Sequence, residues 1–470
     1  MSHGFKINFS LLSSREGTLT SKAQTLNNNF SNIYYPLTSE VDSSNIVIIG
    51  GGLAGLTTAA LLARSGKAVT LFEQSSNEIG GRARTSEFEG FYFNQGPHAL
   101  YLSDLGAAVL KEIGVTYKGH VAAGKGSTYL IKDGKKHQAP GDYSSISSFK
   151  SEGSSDEIER NRFFESLAKI DFSQLENVTV QEWLDKNVND KNLADIIKTL
   201  LRLNTYANDP DIQSVGSALR QLYLASLGGT MYLDGGWQTL VDGLLNAAKQ
   251  HKARIVMGKK ATRVENRIEG SSSSEWLVTL SDKTQVSAKI VVIAAGPKDA
   301  YNLFHDNERP EVLSKAAKEA KPIRMACLDV ALSSLPDKDA LFALGVDRPL
   351  YFSVHSVYAK LAPEGGALIH VAKFLGTSIE PKPKEDQQEL EGMLDLLQPG
   401  WRDVLVKRRP LPNMVVSNAL VTAAAGGLAG RPDVKIADNL YIVGDWVGKE
   451  GLFSTPSFAS AKRTAQLILS

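Results

Sequence analysis

A short apolar run at residues 46–49 meets three glycines, Gly50, Gly52 and Gly55, spaced G-x-G-x-x-G, and this junction constrains the chain more than any other stretch. Four consecutive apolar residues suit a strand buried on both faces. Residues 53–65 are mostly good helix formers, and they stop at Gly66, a residue favoured just past a helix end. Residues 68–72 then read as a second strand ending at Glu73, which lies 21 residues after Gly52. In such a unit Gly50 makes the tight turn, Gly52 lets backbone approach a pyrophosphate, and Gly55 lets helix and strand pack closely. The helix start at Leu53 and Ala54 offers free N–H groups and the positive end of the dipole to that phosphate. Glu73 is placed to accept hydrogen bonds from a ribose hydroxyl. These features together predict a dinucleotide site.

The acid at position 73 disfavours a 2′-phosphate, which leaves NAD or FAD. Glu73-Gln74 leads through a polar loop to Gly80-Gly81-Arg82, and then to Phe91-Tyr92-Phe93-Asn94-Gln95-Gly96-Pro97-His98. This run resembles the flavoprotein superfamily of phytoene desaturases, carotenoid isomerases, protoporphyrinogen oxidases and monoamine oxidases. The resemblance implies FAD, with Glu73 and Gln74 near the ribose and Gly81 and Arg82 on the second side of the pyrophosphate. Guanidinium and backbone N–H groups together can neutralise that group. Asn94 stands where the family usually has aspartate.

Near the carboxy terminus, residues 439–443 read as a buried strand ending in Gly444-Asp445, with a glycine-containing loop and a helix at 458–469 beyond. This is similar to the family's C-terminal flavin element. The similarity implies that Asp445 bonds the ribityl or pyrophosphate region and that the last helix points its N-terminus at the flavin edge carrying N1 and O2. A helix dipole there stabilises the charge of reduced flavin. Phe453 aligns with the tyrosine of the amine oxidases' aromatic cage. Between these elements, Asp234-Gly235-Gly236-Trp237 precedes an amphipathic helix, strands at 253–257 and 261–265, a hairpin about Ser281-Asp282-Lys283, and a buried strand at 289–293. That order also resembles the family, and implies that Val264 backbone meets the adenine.

With 470 residues the chain exceeds a single core. The expected fold is α/β: a discontinuous Rossmann-like FAD-binding domain, a parallel sheet with a β-hairpin insertion, from residues 45–104, 229–304 and 431–470. Residues 105–228 and 305–430 are left for an α+β substrate domain, and the Ser-, Thr- and Asn-rich residues 1–44 read as a flexible extension. A net charge of +1 gives no electrostatic case for nucleic acid. Cys327 is the only cysteine, so no intramolecular disulfide forms, and its apolar neighbours mark a buried structural thiol. No metal-ligand spacing is present. No apolar run reaches the roughly 18 residues of a membrane span, and the expected location is the cytoplasm with peripheral contact at a membrane.

Within the substrate region, Thr179-Val180-Gln181-Glu182 is a capping box. Leu193, Ile196, Ile197, Leu200 and Leu201 form an apolar stripe read as core, with a membrane or channel face as the alternative. Residues 144–160 read as a mobile loop, and 324–332, 350–354 and 367–374 as strands. His98 reads as a backbone-bonding residue, His355 and His370 as ordinary, and Lys373 as a candidate to hold water near flavin N5. No residue of this chain is assigned to catalysis. The stretch 357–365 resembles the phytoene desaturase and carotenoid isomerase branch, which implies a small apolar, isoprenoid-like substrate undergoing hydride loss or isomerisation. The rival is a flavin oxidase of amines or of a tetrapyrrole precursor using oxygen.

Overall fold

Strand Asp42–Ile49 lies between two parallel neighbours, Val69–Phe72 on one side and Gln285–Ile293 on the other. In this computed structural model, residues 42–122, 125–139, 163, 165–267 and 275–470 are described. The strand begins at Asp42, ahead of the apolar run and inside the stretch expected to be a loose extension. Its first residues pair with Val286, Ser287 and Ala288, so backbone ladder bonds order them without apolar side chains. Arg254–Val256 extends the sheet in parallel beyond Val69–Phe72, and Leu440–Ile442 pairs in parallel with Gln285–Ile293.

The hairpin Glu275–Leu280 and Gln285–Ile293, with Ala261–Arg267 beside it and Lys435–Ala437 antiparallel to Leu440–Ile442, completes an eight-stranded sheet. Two separate strands were expected across 284–293; the structure has one of nine residues. On one side its first half pairs with the hairpin and its second half with Leu440–Ile442, while Asp42–Ile49 runs parallel to both halves on the other, and the polar Lys289 at its middle does not interrupt it.

The helix Leu53–Arg64 packs on this sheet beside Gln238–Gln250 and Thr455–Leu469. Ile46, Ile48, Leu56, Leu71, Leu244 and Phe458 share one buried cluster. Each such side chain stabilises the fold by about 1.5–3 kcal/mol relative to exposure.

A second sheet has seven strands in the order Leu405–Ser417, Ile323–Leu332, Ala367–Leu375, Leu350–Val354, Ala340–Gly345, Ser127–Lys132 and Lys135–Gln138. Side chains alternate between faces along each strand. One face, with Leu328, Val330 and Phe352, packs against Leu390, Leu394 and Leu397 of helix Pro383–Leu397. The other presents Met325, Cys327, Phe342, Tyr351 and Phe374. Cys327 is buried and unbonded to sulfur, as its apolar setting suggests.

Helices Val180–Asn187, Lys191–Thr205 and Val215–Gly228 form a third layer. Thr179 and Glu182 make both bonds of the capping box, 2.9 and 3.1 Å. Leu193, Ile197, Leu200 and Leu201 are buried against Leu184, Leu219 and Leu222, with Ile196 partly buried beside them. The stripe is therefore core, and a membrane-facing reading of it is corrected. Both sheets lie in one compact unit, Val41–Ser470. The expected mobile loop at 144–160 lies outside the described residues.

Candidate functional site

The three glycines at the end of Asp42–Ile49 differ in what a side chain would meet. A Cβ on Gly55 would sit 1.9 Å from the Gly50 carbonyl oxygen, and one on Gly50, whose φ is +108°, would sit 2.5 Å from the Ala294 oxygen. Those two positions demand glycine for the strand-to-helix crossing itself. Gly52 is the exception, because a Cβ there would meet nothing within 4 Å. Its backbone opens onto free space at the start of helix Leu53–Arg64, and no side chain caps that end. Leu53 is half-buried, Ala54 and Gly55 buried, and their N–H groups lie in the first turn, where no intrahelical partner exists.

Glu73 closes the floor of this cradle. Its Oε2 accepts from Gly51 N at 2.7 Å and its Oε1 from Ser75 N at 2.9 Å. Each carboxylate oxygen keeps a further lone pair, and Gln74 is exposed next to it. Gly80 N donates to Gly51 O at 2.9 Å, which lays the Gly80-Gly81-Arg82 turn across the first glycine loop. The Cα of Gly52 would be 3.5 Å from a Cβ on Gly81. Two glycine turns thus face one another.

Arg82 reaches the far end of the chain. It donates to Val416 O at 2.8 Å and lies 3.0 Å from Asp445 Oδ2. Asp445 also accepts from Ser417 Oγ at 3.0 Å, Asn418 N at 2.8 Å and Asn418 Nδ2 at 2.8 Å. Burial pushes this carboxyl upward, but Arg82 and Asn418 outweigh it and hold Asp445 below the usual range. Gly444, at φ +154°, makes the turn into Asp445 and donates its N–H to Ser460 Oγ of the last helix at 3.1 Å. That helix begins at Thr455, three residues before the expected Phe458, with Pro456 in its first turn.

Phe453 stands just before it with φ +58°, a conformation rare for a bulky residue. Its ring stacks on Tyr101, with centroids 5.9 Å apart, and meets the edge of Tyr206 at 5.0 Å. Tyr206 in turn contacts Phe374, and Phe374 contacts Tyr351. A continuous aromatic wall therefore runs from the C-terminal loop onto the inner face of the seven-stranded sheet. A recess of about 10 Å³ lies beside Phe453, lined also by Ser417 and Arg431. The Nε of Arg431 is buried there without a partner.

Asn94, in place of an aspartate, holds the scaffold together. Its Oδ1 accepts from Trp237 N at 2.9 Å and Thr85 Oγ1 at 2.7 Å. Both bonds need only a carbonyl oxygen, so the amide serves as well as a carboxylate. His98 points its ring nitrogens at two carbonyl oxygens, Gly96 O and Arg82 O, each at 3.1 Å. Burial lowers its pKa to about 4. A neutral ring has one N–H, so a single one of these contacts is a donated bond.

The N–H of Val264, expected beside an adenine, donates to Leu303 O at 2.7 Å. The backbone beside Glu73 is the 256–259 segment: Glu73 N donates to Val256 O and Lys259 N to Glu73 O, both at 2.9 Å. Lys373 pairs with Asp386 at 2.8 Å and Glu389 at 2.6 Å of the helix behind the sheet, on the face away from the aromatic wall. It holds no water for flavin N5.

Sequence reasoning passed over His355 and His370 as ordinary. His370 Nδ1 lies 2.6 Å from Asp329 Oδ1, and His355 Nε2 lies 3.0 Å from Tyr351 Oη, all four groups being buried. Ser353 lies on the strand beside His370 and His355 opens the turn just past its end, but their facing across strands is not a local signal.

The donor set fits FAD. An open glycine face at an uncapped helix start suits a pyrophosphate, Glu73 suits a ribose diol, and an unpartnered buried Arg431 Nε beside an aromatic wall suits an oxygen-rich planar ring system. When bound, that group supplies a two-electron acceptor for hydride.

Residues 53–326 match the family described as flavin containing amine oxidoreductase. A 4,4'-diapolycopen-4-al dehydrogenase of Metabacillus indicus is 26% identical over 269 residues, 50% of this chain and 52% of that protein. A limonene dehydrogenase component from Castellaniella defragrans is 39% identical over 107 residues, 22% of this chain and 19% of that one. The chain thus spans about half the length of the first relative and about a fifth of the second. Putrescine oxidase bound to putrescine superposes with a TM-score of 0.71 at 14% identity, covering 91% of this chain and 99% of that one, a likeness of fold.

Proposed function

The chain belongs to the family of flavin-containing amine oxidoreductases, and we propose that it is an FAD-dependent oxidoreductase taking hydride from a small apolar, isoprenoid-like molecule. The segments assigned to cofactor are 45–104, 229–304 and 431–470, with 105–228 and 305–430 assigned to substrate. Gly50, Gly52, Leu53, Ala54 and Gly55 take the pyrophosphate side, and Glu73 with Gln74 the ribose. Gly81, Arg82, Gly444 and Asp445 take the opposite side, and Phe453 borders the reacting ring.

The aromatic wall carries this reading. Tyr101, Tyr206, Phe374 and Phe453 form an apolar surface at the C-terminal flavin element. Such a surface binds through area, at about 25 cal/mol per Å², and not through charge pairs. Asp329 is the one acidic residue in the seven strands of the second sheet, and Arg409 already neutralises it at 2.6 Å. An ammonium group finds no bare carboxylate on those strands. Phe453 in place of a cage tyrosine points the same way. The relatives named for a diapolycopenal and for limonene act, by those names, on isoprenoids.

Among the described residues no helix is long and apolar enough to cross a membrane. A substrate of this class partitions into bilayers, so peripheral contact with a membrane surface belongs to the same proposal. Anaerobic reduction of the bound flavin, followed by loss of its visible absorbance, tests the assignment. Bleaching by a polyene or monoterpene supports it. Rapid bleaching by a simple primary amine, with none by any isoprenoid, moves the chain to the oxidase reading.

A further inference from the structure

Three strands of the second sheet place Asp329, His370 and Ser353 in one row, because Asp329 pairs with His370 and His370 with Ser353. Arg409, from the outer strand, holds Asp329 Oδ2 through Nη2 at 2.6 Å and Nε at 3.2 Å. The same guanidinium donates to the carbonyl oxygen of Asn94, in the turn that leads to His98. Asp329 and His370 have no exposed surface, His355 has 1% and Tyr351 3%.

The proton positions follow from these partners. Burial pushes Asp329 upward, but His370 and Arg409 outweigh it and keep the carboxylate ionised. In its neutral form His370 carries its proton on Nδ1, facing the ionised carboxylate, and its Nε2 is an acceptor. Burial holds His355 neutral. The Tyr351 hydroxyl, which also has Ser353 and Tyr232 as partners, lies 3.0 Å from His355 Nε2; where it donates to that nitrogen, the ring proton of His355 sits on Nδ1. Both His355 Nδ1 and His370 Nε2 are buried without partners, and the two ring centroids are 4.4 Å apart. One orphan is a donor and the other an acceptor. Left empty, each costs on the order of 1–3 kcal/mol; one water between them satisfies both.

We infer that Tyr351, His355, His370 and Asp329 form a buried proton relay, bridged by one water between the imidazoles, that accepts the proton released at the aromatic wall. This rests on the hydride-removing function proposed above. When a saturated C–C unit becomes a double bond, one C–H loses its hydrogen with the electron pair as hydride, which a bound flavin would accept. The neighbouring C–H gives a proton. That proton arrives at Tyr351 Oη as the tyrosine's own proton passes to His355 Nε2. The His355 Nδ1 proton then crosses the water to His370 Nε2, and the resulting imidazolium is held by Asp329. The groups facing the pair from neighbouring elements are Tyr232, stacked on His355 with centroids 3.8 Å apart, together with His98, Cys327, Ser353 and Arg409. Tyr351 is the terminus at the wall; the other three are positioning residues.

Two measurements on the FAD-loaded protein test the relay. Long-range proton–nitrogen NMR of labelled histidine, assigned with His355→Gln and His370→Gln, is expected to show the Nδ1–H form of both rings, with Asp329→Asn disturbing that of His370. An Nε2–H form in either ring overturns the relay, because protons then have no directed path. Anaerobic flavin reduction by an isoprenoid is expected to slow roughly 10²- to 10⁴-fold in Tyr351→Phe and His355→Gln, with a changed solvent isotope effect and unchanged FAD content. Wild-type rates and isotope effects in both variants also overturn it. Wild-type protein that no isoprenoid reduces defeats the substrate assignment instead, and the histidine tautomers then decide the relay alone.

Discussion

The Arg82 guanidinium lies 3.0 Å from Asp445 Oδ2, joining the second glycine turn near the start of the chain to the last strand end near its finish. Arg82 is partly exposed and Asp445 is buried, so the pair behaves as a fixed anion with a movable cation. Removing the cation leaves Asp445 with only neutral donors from Ser417 and Asn418.

Arg82→Ala is expected to weaken FAD binding by roughly tenfold to a hundredfold, the loss of one or two charge-assisted bonds. It also changes the response of the FAD-free protein to acid. Asp445 has a folded pKa below its unfolded value, so it contributes stability above the unfolded value that is lost as pH falls through the folded one. Without Arg82 the folded value rises and that loss starts at higher pH. Melting curves from neutral to acidic pH on both proteins check this; identical acid profiles would show that Arg82 does nothing for Asp445.

Gly52→Ala and Gly55→Ala should separate binding from folding. At Gly55 a methyl group collides with the Gly50 carbonyl, and backbone cannot yield cheaply, so the variant should be poorly folded or insoluble. At Gly52, with φ −77° and open space, the same methyl should leave the melting temperature of the FAD-free protein nearly unchanged. FAD affinity should nonetheless fall by about tenfold or more, because the methyl occupies the approach of the pyrophosphate. Equal affinity in Gly52→Ala would remove the phosphate from this face.

Much of this was legible in the chain. The glycine spacing, the acid at Glu73 and the capping box at Thr179 are local signals, each fixed by residues within about a turn or one βαβ unit. Register across strands is not local. Val264 and Lys373 sit on strands that sequence located well, yet their partners, Leu303 in one case and Asp386 with Glu389 in the other, are set by tertiary packing. Likewise nothing adjacent to His370 announces Asp329, which reaches it only through antiparallel pairing. The apolar stripe at 193–201 shows the converse: its periodicity revealed a helix face, while its neighbours determined that the face is core.

Asp104 supplies a pH test of the contact between the first and last parts of the fold. It caps helix Leu105–Ile113, accepting from Leu105 N at 2.6 Å, and also accepts from Thr455 Oγ1 at the start of the final helix. Burial raises its pKa from 3.8 to about 6. The folded state therefore binds more protons than the unfolded one between those values, and stability from this group is lost as pH rises through about 6. Asp104→Asn keeps the cap and removes the charge. The variant should melt higher than wild type at pH about 7.5, with the gap closing below pH about 3, where the wild-type carboxyl is protonated in both states. A gap that is absent at neutral pH, or that widens in acid, would contradict the burial of this carboxyl.

The flavin content of the purified protein tests the central claim most directly. Heat or acid denaturation should release about one FAD per chain into the supernatant, identified by chromatography, from protein that was yellow before treatment; the two facing glycine turns and Glu73 supply non-covalent binding, and the single cysteine, Cys327, is buried in the second sheet. Glu73→Ala, its fold verified by circular dichroism, should retain at most a tenth of that affinity. Colourless protein that ignores added FAD, or that binds NAD in its place, would contradict the account.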